Sequence, residues 1–179
     1  MILICFLFGP LIKIEDKGPI FYFSERLGMN KKSFRMIKLR SMKVNSQDIR
    51  TKDNETFNSP DDERLTKIGK LIRKLSIDET PQLINVLLGD MSIIGPRPNL
   101  DDHEGHVFTE DEIRRLEVRP GITGYNQAFF RNSIPKNEKF KNDVYYVDNI
   151  SFLLDLKIFL KTISTILRRS NVYNVETEN

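Results

Sequence analysis

The first twelve residues, MILICFLFGPLI, carry no charged side chain, and the first one met is Lys13. A helix needs ~20 apolar residues to cross a bilayer, so this stretch is too short to span a membrane alone. It also lacks the basic start and the small-residue cleavage site of a secretory signal. Two placements stay open from the residues themselves: a strand or helix within the core, or part of a segment that dips into a membrane. Pro10 favours a break or kink.

The remainder of the chain has to supply the fold. With 179 residues, 39% hydrophobic and 30% charged, it is long enough for one domain with a sizeable core and too apolar for a disordered chain. The net charge of +3 is not that of a polycation. The basic residues are nevertheless grouped, at Lys31-Lys32, Lys38–Arg40, Arg73-Lys74 and Arg168-Arg169. Such groups suit phosphates or lipid head groups, or simply a solvated surface. The single cysteine, Cys5, excludes an internal disulfide and fits a reducing compartment. Neither a P-loop nor a Rossmann glycine fingerprint occurs, so nucleotide binding by those devices is excluded. No nucleic-acid partner is expected.

Lys17-Gly18-Pro19 marks a turn before the β-prone run Ile20–Phe23, and Leu27–Lys31 marks a second. In SFRMIKLRSM, Phe34, Ile37 and Leu39 alternate with Arg35, Lys38 and Arg40, while Met36 falls on the cationic side. These signals predict a β-hairpin. Residues 43–58 read as a loop. Ser59-Pro60 reads as a helix start, followed by one apolar face of Leu65, Ile68, Ile72 and Leu75. A second helix is predicted over 79–88, burying Leu83, Ile84, Leu87 and Leu88 and stopping at Gly89. Residues 101–112 read as an acidic loop, 118–127 as turns, and 131–143 as a polar segment. A final helix over 151–170 carries Phe152, Leu156, Phe159, Leu160, Ile163, Ile166 and Leu167 on one side. That side faces either the core or a membrane interface. The acidic cluster Asp101, Asp102, His103, Glu104 and His106 reads as solvated loop, since its spacing fits no zinc motif.

Asp78-Glu79 carries the chemical question. Ser76-x-x-Glu79 fits a capping box, and Asp78 alone fits the N-cap of the helix that follows, with Pro81 in its first turn. The same position suits phosphate chemistry, because an ionised aspartate can attack phosphorus and a neighbouring carboxylate can hold Mg²⁺. Arg73 and Arg97, the latter in Gly95-Pro96-Arg97-Pro98, could bind phosphate oxygens through bidentate hydrogen bonds.

KGPIFYFSERLG, FRMIKLRSM, RLTKIGKLIRKLSIDETPQLINVLLGDMSIIGPRP, RPGITGYNQ and DVYYVDNISFLLDLKIFLKTI, in that order, resemble the bacterial sugar transferases, the small monotopic phosphoglycosyl transferases. The resemblance covers residues 13–170. It implies an α+β fold, with helices around a small β-hairpin or antiparallel sheet and amphipathic helices at the membrane interface. It divides the chain into a partial membrane-associated segment (1–14), a catalytic domain (15–170) and a polar tail (171–179). The family's re-entrant N-terminal helix is broken near a Ser-Pro, and only its second half finds a counterpart before Lys13. The expectation is therefore either a truncated chain or an unusually short anchor.

The resemblance also implies transfer of a sugar-1-phosphate from a UDP-sugar to polyprenyl (undecaprenyl) phosphate with release of UMP. This step initiates capsule, exopolysaccharide or glycoprotein glycan assembly. Asp78 matches the family's nucleophile and Glu79 its Mg²⁺ ligand. Lys38, Arg73, Arg97 and Arg131 match its phosphate-handling cations, and Gln82 with Pro96–Pro98 is expected to shape the same pocket. The implied location is the cytoplasmic face of the bacterial inner membrane, with downstream glycosyltransferases as further partners. Two other readings stay open: a non-catalytic lipid-surface module and a carboxylate-metal phosphohydrolase.

Overall fold

The computed structural model describes residues 2–49, 57, 59, 61–100, 106–131 and 133–168. Pro60, the acidic residues 101–104 and the tail 171–179 therefore lie outside the described residues.

The apolar start is a helix, α1 (Ile2–Asp16), with Pro10 inside it. Among the described residues no helix is long and apolar enough to cross a membrane. Ile12 is buried with Leu39 and Ile72, whereas Leu3, Phe6, Leu7 and Ile14 stand exposed. The end of α1 is tied to the rest of the chain by charge. Glu15 accepts from the backbone N–H groups of Lys67 (2.6 Å) and Ile68 (3.0 Å), and Asp16 pairs with Arg40.

The hairpin forms as expected: β1 (Phe21–Leu27) pairs antiparallel with β2 (Ser33–Leu39), with Phe21 opposite Leu39 and Leu27 opposite Ser33. Its face differs in one respect. Met36 shares the buried side with Phe34 and packs with Met91, while Ile37 is only half-buried. Strand β2 is covered along its outer edge by a side chain. Asn85 Oδ1 accepts from Ile37 N (3.0 Å) and Asn85 Nδ2 donates to Arg35 O (2.9 Å), so one amide satisfies two edge groups. Asn85 is buried, and Asn85→Ala leaves both groups unpaired; we expect a loss of about 2–4 kcal/mol. Denaturant titration measures it, and a loss below about 1 kcal/mol would mean that water reaches this edge.

Helix α2 (Lys67–Lys74) starts later than Ser59-Pro60 predicts. Asp62 clamps Arg64 through three hydrogen bonds, and Leu65 bridges to Met42, so residues 61–65 are held in turns and pairing before the helix can begin. Thr66 is the N-cap, its hydroxyl accepting from Gly69 N at 2.8 Å. Helix α3 (Gln82–Leu88) stops at Gly89, where φ is +83°. Its buried face is not the apolar one. Gln82 and Asn85 turn inward, while Leu83, Leu87 and Leu88 are exposed, because Asn85 is needed at the edge of β2 and the leucines lie on the opposite side.

A second, parallel sheet joins β3 (Ser92–Ile94) to β4 (Gly121–Thr123). The acidic segment ends as α4 (Glu110–Arg115), begun by a capping box of Thr109 and Glu112 that the loop reading had passed over. Within the turn-rich stretch lies α5 (Tyr125–Phe129). The polar stretch from 131 contributes α6 (Lys136–Asp148), opened by Pro135 as N-cap. Its low apolar content hid it, since it is held by the buried Asp143 as well as by Tyr146 in the core. Helix α7 (Phe152–Arg168) closes the described chain. Ile158 enters a core with Ala128 and Tyr146, whereas Phe152, Leu153, Leu160 and Leu167 face outward. The α+β class holds, with helices around small sheets.

Candidate active site

The dyad lies between two helices rather than on one. Helix α2 ends at Leu75, and Ser76 then takes a left-handed conformation with φ of +55°. Ile77–Glu79 follows as one tight 3₁₀ turn, held by Thr80, whose N–H (3.1 Å) and hydroxyl (2.7 Å) both bond Ile77 O. Neither capping interpretation holds. Ser76 makes no cap hydrogen bond, and the cap of α3 is Pro81, which has none either. Asp78 sits inside the 3₁₀ turn, three positions before the cap at Pro81. A non-glycine residue with positive φ costs energy that the surroundings must offset. Here it turns the chain so that both acids leave the end of α2 together.

Asp78 is 8% exposed, yet among the described residues its carboxylate accepts no hydrogen bond. Glu79 is richly contacted: its Oε1 accepts from Lys38 Nζ and from Arg97 Nη2, each at 2.8 Å. Lys38 reaches it from β2 and Arg97 from the loop after β3. Arg73 donates from Nε to Ser41 Oγ at 2.9 Å, which aims its guanidinium along the end of α2. Arg131 follows α5 in a left-handed conformation (φ +52°). Gln82, 2% exposed, stands one turn beyond Asp78. Thus Lys38, Glu79 and Arg97 meet directly, and Arg73 and Arg131 act on the acids through charge.

The electrostatics separate the two carboxyls. Burial, followed by repulsion from Glu79, pushes Asp78 up to about 6 against the pull of Lys38, Arg73 and Arg97. Burial also works to raise Glu79, but Arg97 and Lys38 outweigh it and hold that carboxyl far below the usual range. Burial lowers Lys38 more than Glu79 raises it. Burial likewise lowers Arg73 and Arg131, with Asp78 and Glu79 respectively opposing. Pairs of titratable groups driven apart in this way are the mark of divided chemical roles. Asp78 is a carboxylate with little solvation and no donor to quench it, and Glu79 stays ionised.

The acids also suit Mg²⁺. Glu79 keeps Oε2 clear of hydrogen bonds among the described residues, and Asp78 keeps both oxygens clear. Two such acids fit a hard cation that completes its shell with water and substrate phosphate oxygens. Among the described residues no group of three or more His, Cys, Asp or Glu side chains could hold a metal as a protein cage. His106 is occupied with Glu112 at 3.1 Å.

The match to the bacterial sugar transferase family model runs over residues 1–169. The chain belongs to that family. It is 46% identical over 157 residues to the sugar transferase EpsL of Bacillus subtilis, covering 88% of this chain and 74% of that protein. It is 41% identical over 167 residues to the UDP-N-acetylgalactosamine-undecaprenyl-phosphate N-acetylgalactosaminephosphotransferase of Aeromonas hydrophila, covering 88% of this chain and 37% of that one. Over 170 residues it is 38% identical to the undecaprenyl-phosphate galactose phosphotransferase of Salmonella typhimurium, covering 89% of this chain and 36% of that one. The chain therefore spans only about a third of the longer relatives.

Sequence reasoning missed three residues of this sugar transferase's site region: Ser41, Arg115 and Asp143. Ser41 orients Arg73 from 32 residues away, and Arg115 binds Asp143 from 28 residues away. No local spacing carries a signal over that separation.

Proposed function

We propose that the protein is a phosphoglycosyl transferase that passes a sugar-1-phosphate from a UDP-sugar to undecaprenyl phosphate. The observation that carries this reading is the buried Asp78 carboxylate, which accepts no hydrogen bond among the described residues and feels the charges of Lys38, Arg73 and Arg97.

In the first half-reaction a carboxylate oxygen of Asp78 attacks the β-phosphorus. A new P–O bond forms, the P–O bond to the UMP oxygen breaks, and UMP leaves with that electron pair. In the second, a phosphate oxygen of the polyprenyl phosphate attacks the same phosphorus and Asp78 departs as carboxylate. Arg73, Arg97 and Arg131 hold phosphate oxygens and offset the charge that builds on them. Lys38 fixes Glu79, and Gln82 closes the wall behind Asp78. Glu79, with Asp78, would hold Mg²⁺, which would supply charge neutralisation for the diphosphate.

The acceptor is a lipid, and the outward apolar sides of α1 and α7 suit a membrane surface. Phe6 at 79% and Phe152 at 79% exposure are more than solvated helices ordinarily show. We place the protein on the cytoplasmic leaflet, where UDP-sugars and downstream glycosyltransferases reside. The relatives named for galactose and for N-acetylgalactosamine make these two UDP-sugars the first to try.

The test supplies UDP-galactose or UDP-N-acetylgalactosamine, Mg²⁺ and undecaprenyl phosphate, and follows UMP. Release that depends on the lipid, with a lipid-linked sugar as product, supports transfer. Release of sugar phosphate to water without lipid would make the protein a phosphohydrolase. Lipid binding with no UMP from any UDP-sugar would leave a surface module.

A further inference from the structure

The buried polar cluster that joins α4, α5 and α6 reaches the active-site loop at one point. Arg115, 4% exposed at the end of α4, donates from Nε to Asp143 Oδ2 at 2.8 Å; Asp143 in α6 is 3% exposed. Nη2 of the same guanidinium, itself 2.8 Å from Asp143 Oδ2, donates to the backbone carbonyl of Arg97 at 2.6 Å. Asp143 Oδ1 accepts from Asn126 Nδ2 (2.8 Å), and that group also meets Lys139 O (2.7 Å). Asn142 Nδ2 closes the cluster on Asn126 Oδ1 at 3.0 Å. The ring of Phe140 lies 4.9 Å from the Arg115 guanidinium carbon.

Arg97 is the residue that such a bond can steer. It lies between Pro96 and Pro98, neither of which has a backbone N–H. The neighbouring carbonyl, Pro96 O, accepts from Gly121 N at 2.9 Å. The bond from Arg115 holds the carbonyl of Arg97 itself. The Arg97 side chain is 53% exposed and still ends on Glu79 Oε1, so little packing holds it there. A buried ion pair is weak evidence for stability, because desolvation consumes most of its attraction. A planar guanidinium held by a carboxylate along its Nε–Nη2 edge is, however, fixed in orientation, and so is the Nη2 that it presents to Arg97 O.

We infer that Arg115, locked by Asp143, is a positioning residue that aims Arg97 at the substrate diphosphate. The inference rests on the proposed phosphate role of Arg97. It gives the α4–α6 cluster, more than 15 residues of chain away from the dyad, a share in substrate affinity.

The test reads UDP binding by calorimetry on the whole protein in detergent, so it does not depend on turnover. Arg115→Lys keeps a charge for Asp143 but cannot span to Arg97 O. We expect it to weaken UDP binding about tenfold with little change in Tm, the size of one charge-assisted hydrogen bond. Asp143→Asn weakens it similarly with some loss of Tm. In an Arg97→Ala background, which itself weakens UDP binding, each substitution then adds less than about twofold. Full additivity with Arg97→Ala overturns the inference, as does unchanged affinity in Arg115→Lys or in Arg97→Ala. Loss of affinity only in proportion to loss of folded protein makes the cluster purely structural. Absence of lipid-dependent UMP release would overturn the proposed reaction and leave this binding result standing.

Discussion

On the proposed reaction, Asp78→Asn is expected to cut UMP release by about a thousandfold or more, and to leave a protein that unfolds at a higher temperature than its parent at pH 7. The first effect follows from removing the attacking oxygen; what remains is the assistance of the arginines, which cannot replace it. The second follows from burial. Asp78 is raised from 3.8 to about 6. Between those values the folded chain keeps a proton that the unfolded chain has lost, so stability falls as pH rises through the window. At pH 7 the full cost of the buried carboxylate is present, up to about 3 kcal/mol, and Asn escapes it. The stability gap between variant and parent should close as pH falls from 6 towards 4. Transfer by the parent should move the opposite way: the nucleophile must be ionised, so the rate falls as pH drops below about 6. Thermal unfolding across pH together with initial rates measures both. A variant that still releases UMP sinks the nucleophile assignment, and one that is less stable at pH 7 sinks the electrostatic account.

Gly69→Ala is expected to destabilise the protein for a reason unconnected with chemistry. A Cβ there would lie 1.8 Å from Ser41 O and 2.6 Å from its carbonyl carbon. These are backbone atoms, anchored because Ser41 O also accepts from Thr66 N (3.1 Å) and Arg40 N binds Ile20 O (2.8 Å). The better helix propensity of alanine is worth ~1 kcal/mol, far less than the displacement costs. We expect a net loss of about 3 kcal/mol, or roughly 10 °C in Tm for a chain of this size. The displaced residue is also the one whose hydroxyl holds Arg73, so UDP binding should weaken in the fraction that folds. Gly89→Ala is the control. Its Cβ would meet nothing within 4 Å, and only the φ of +83° opposes it, at about 1 kcal/mol. If Gly69→Ala is no worse than Gly89→Ala, the close crossing of α2 over Ser41 is wrong.

Some of this protein could be read directly from residue order. The hairpin, the stop of α3 at Gly89 and the helix from Phe152 follow from turn residues and apolar periodicity, which act over a few residues. Resemblance pointed to Lys38, Arg73, Asp78, Glu79, Gln82, Arg97 and Arg131, and the fold gathers them into one region. The helices α4 and α6 were not legible, although Thr109-x-x-Glu112 was a capping signal in plain view. In α6 the inward residues are Tyr146 and Asp143, whose partner Arg115 lies on another helix, so the apolar pattern that reveals most helices is interrupted by a buried charge.

Helix α3 shows most clearly where local reading ends. Its leucines made the expected inner face, yet Asn85 took that place because β2 needed an amide along its edge. Periodicity can say that a helix has two faces, but which one is buried depends on what packs against it. The same holds for the dyad. Residue order placed Asp78 beside Glu79 at the start of a helix, compatible with a cap or with a nucleophile. The tertiary structure took away the cap by turning Ser76 left-handed, and it brought Lys38 and Arg97 onto Glu79 from elements 41 and 18 residues away. Charge acts through space and not along the chain. Residue order therefore determined the reactive groups, and only the tertiary fold decided how their ionisation is divided.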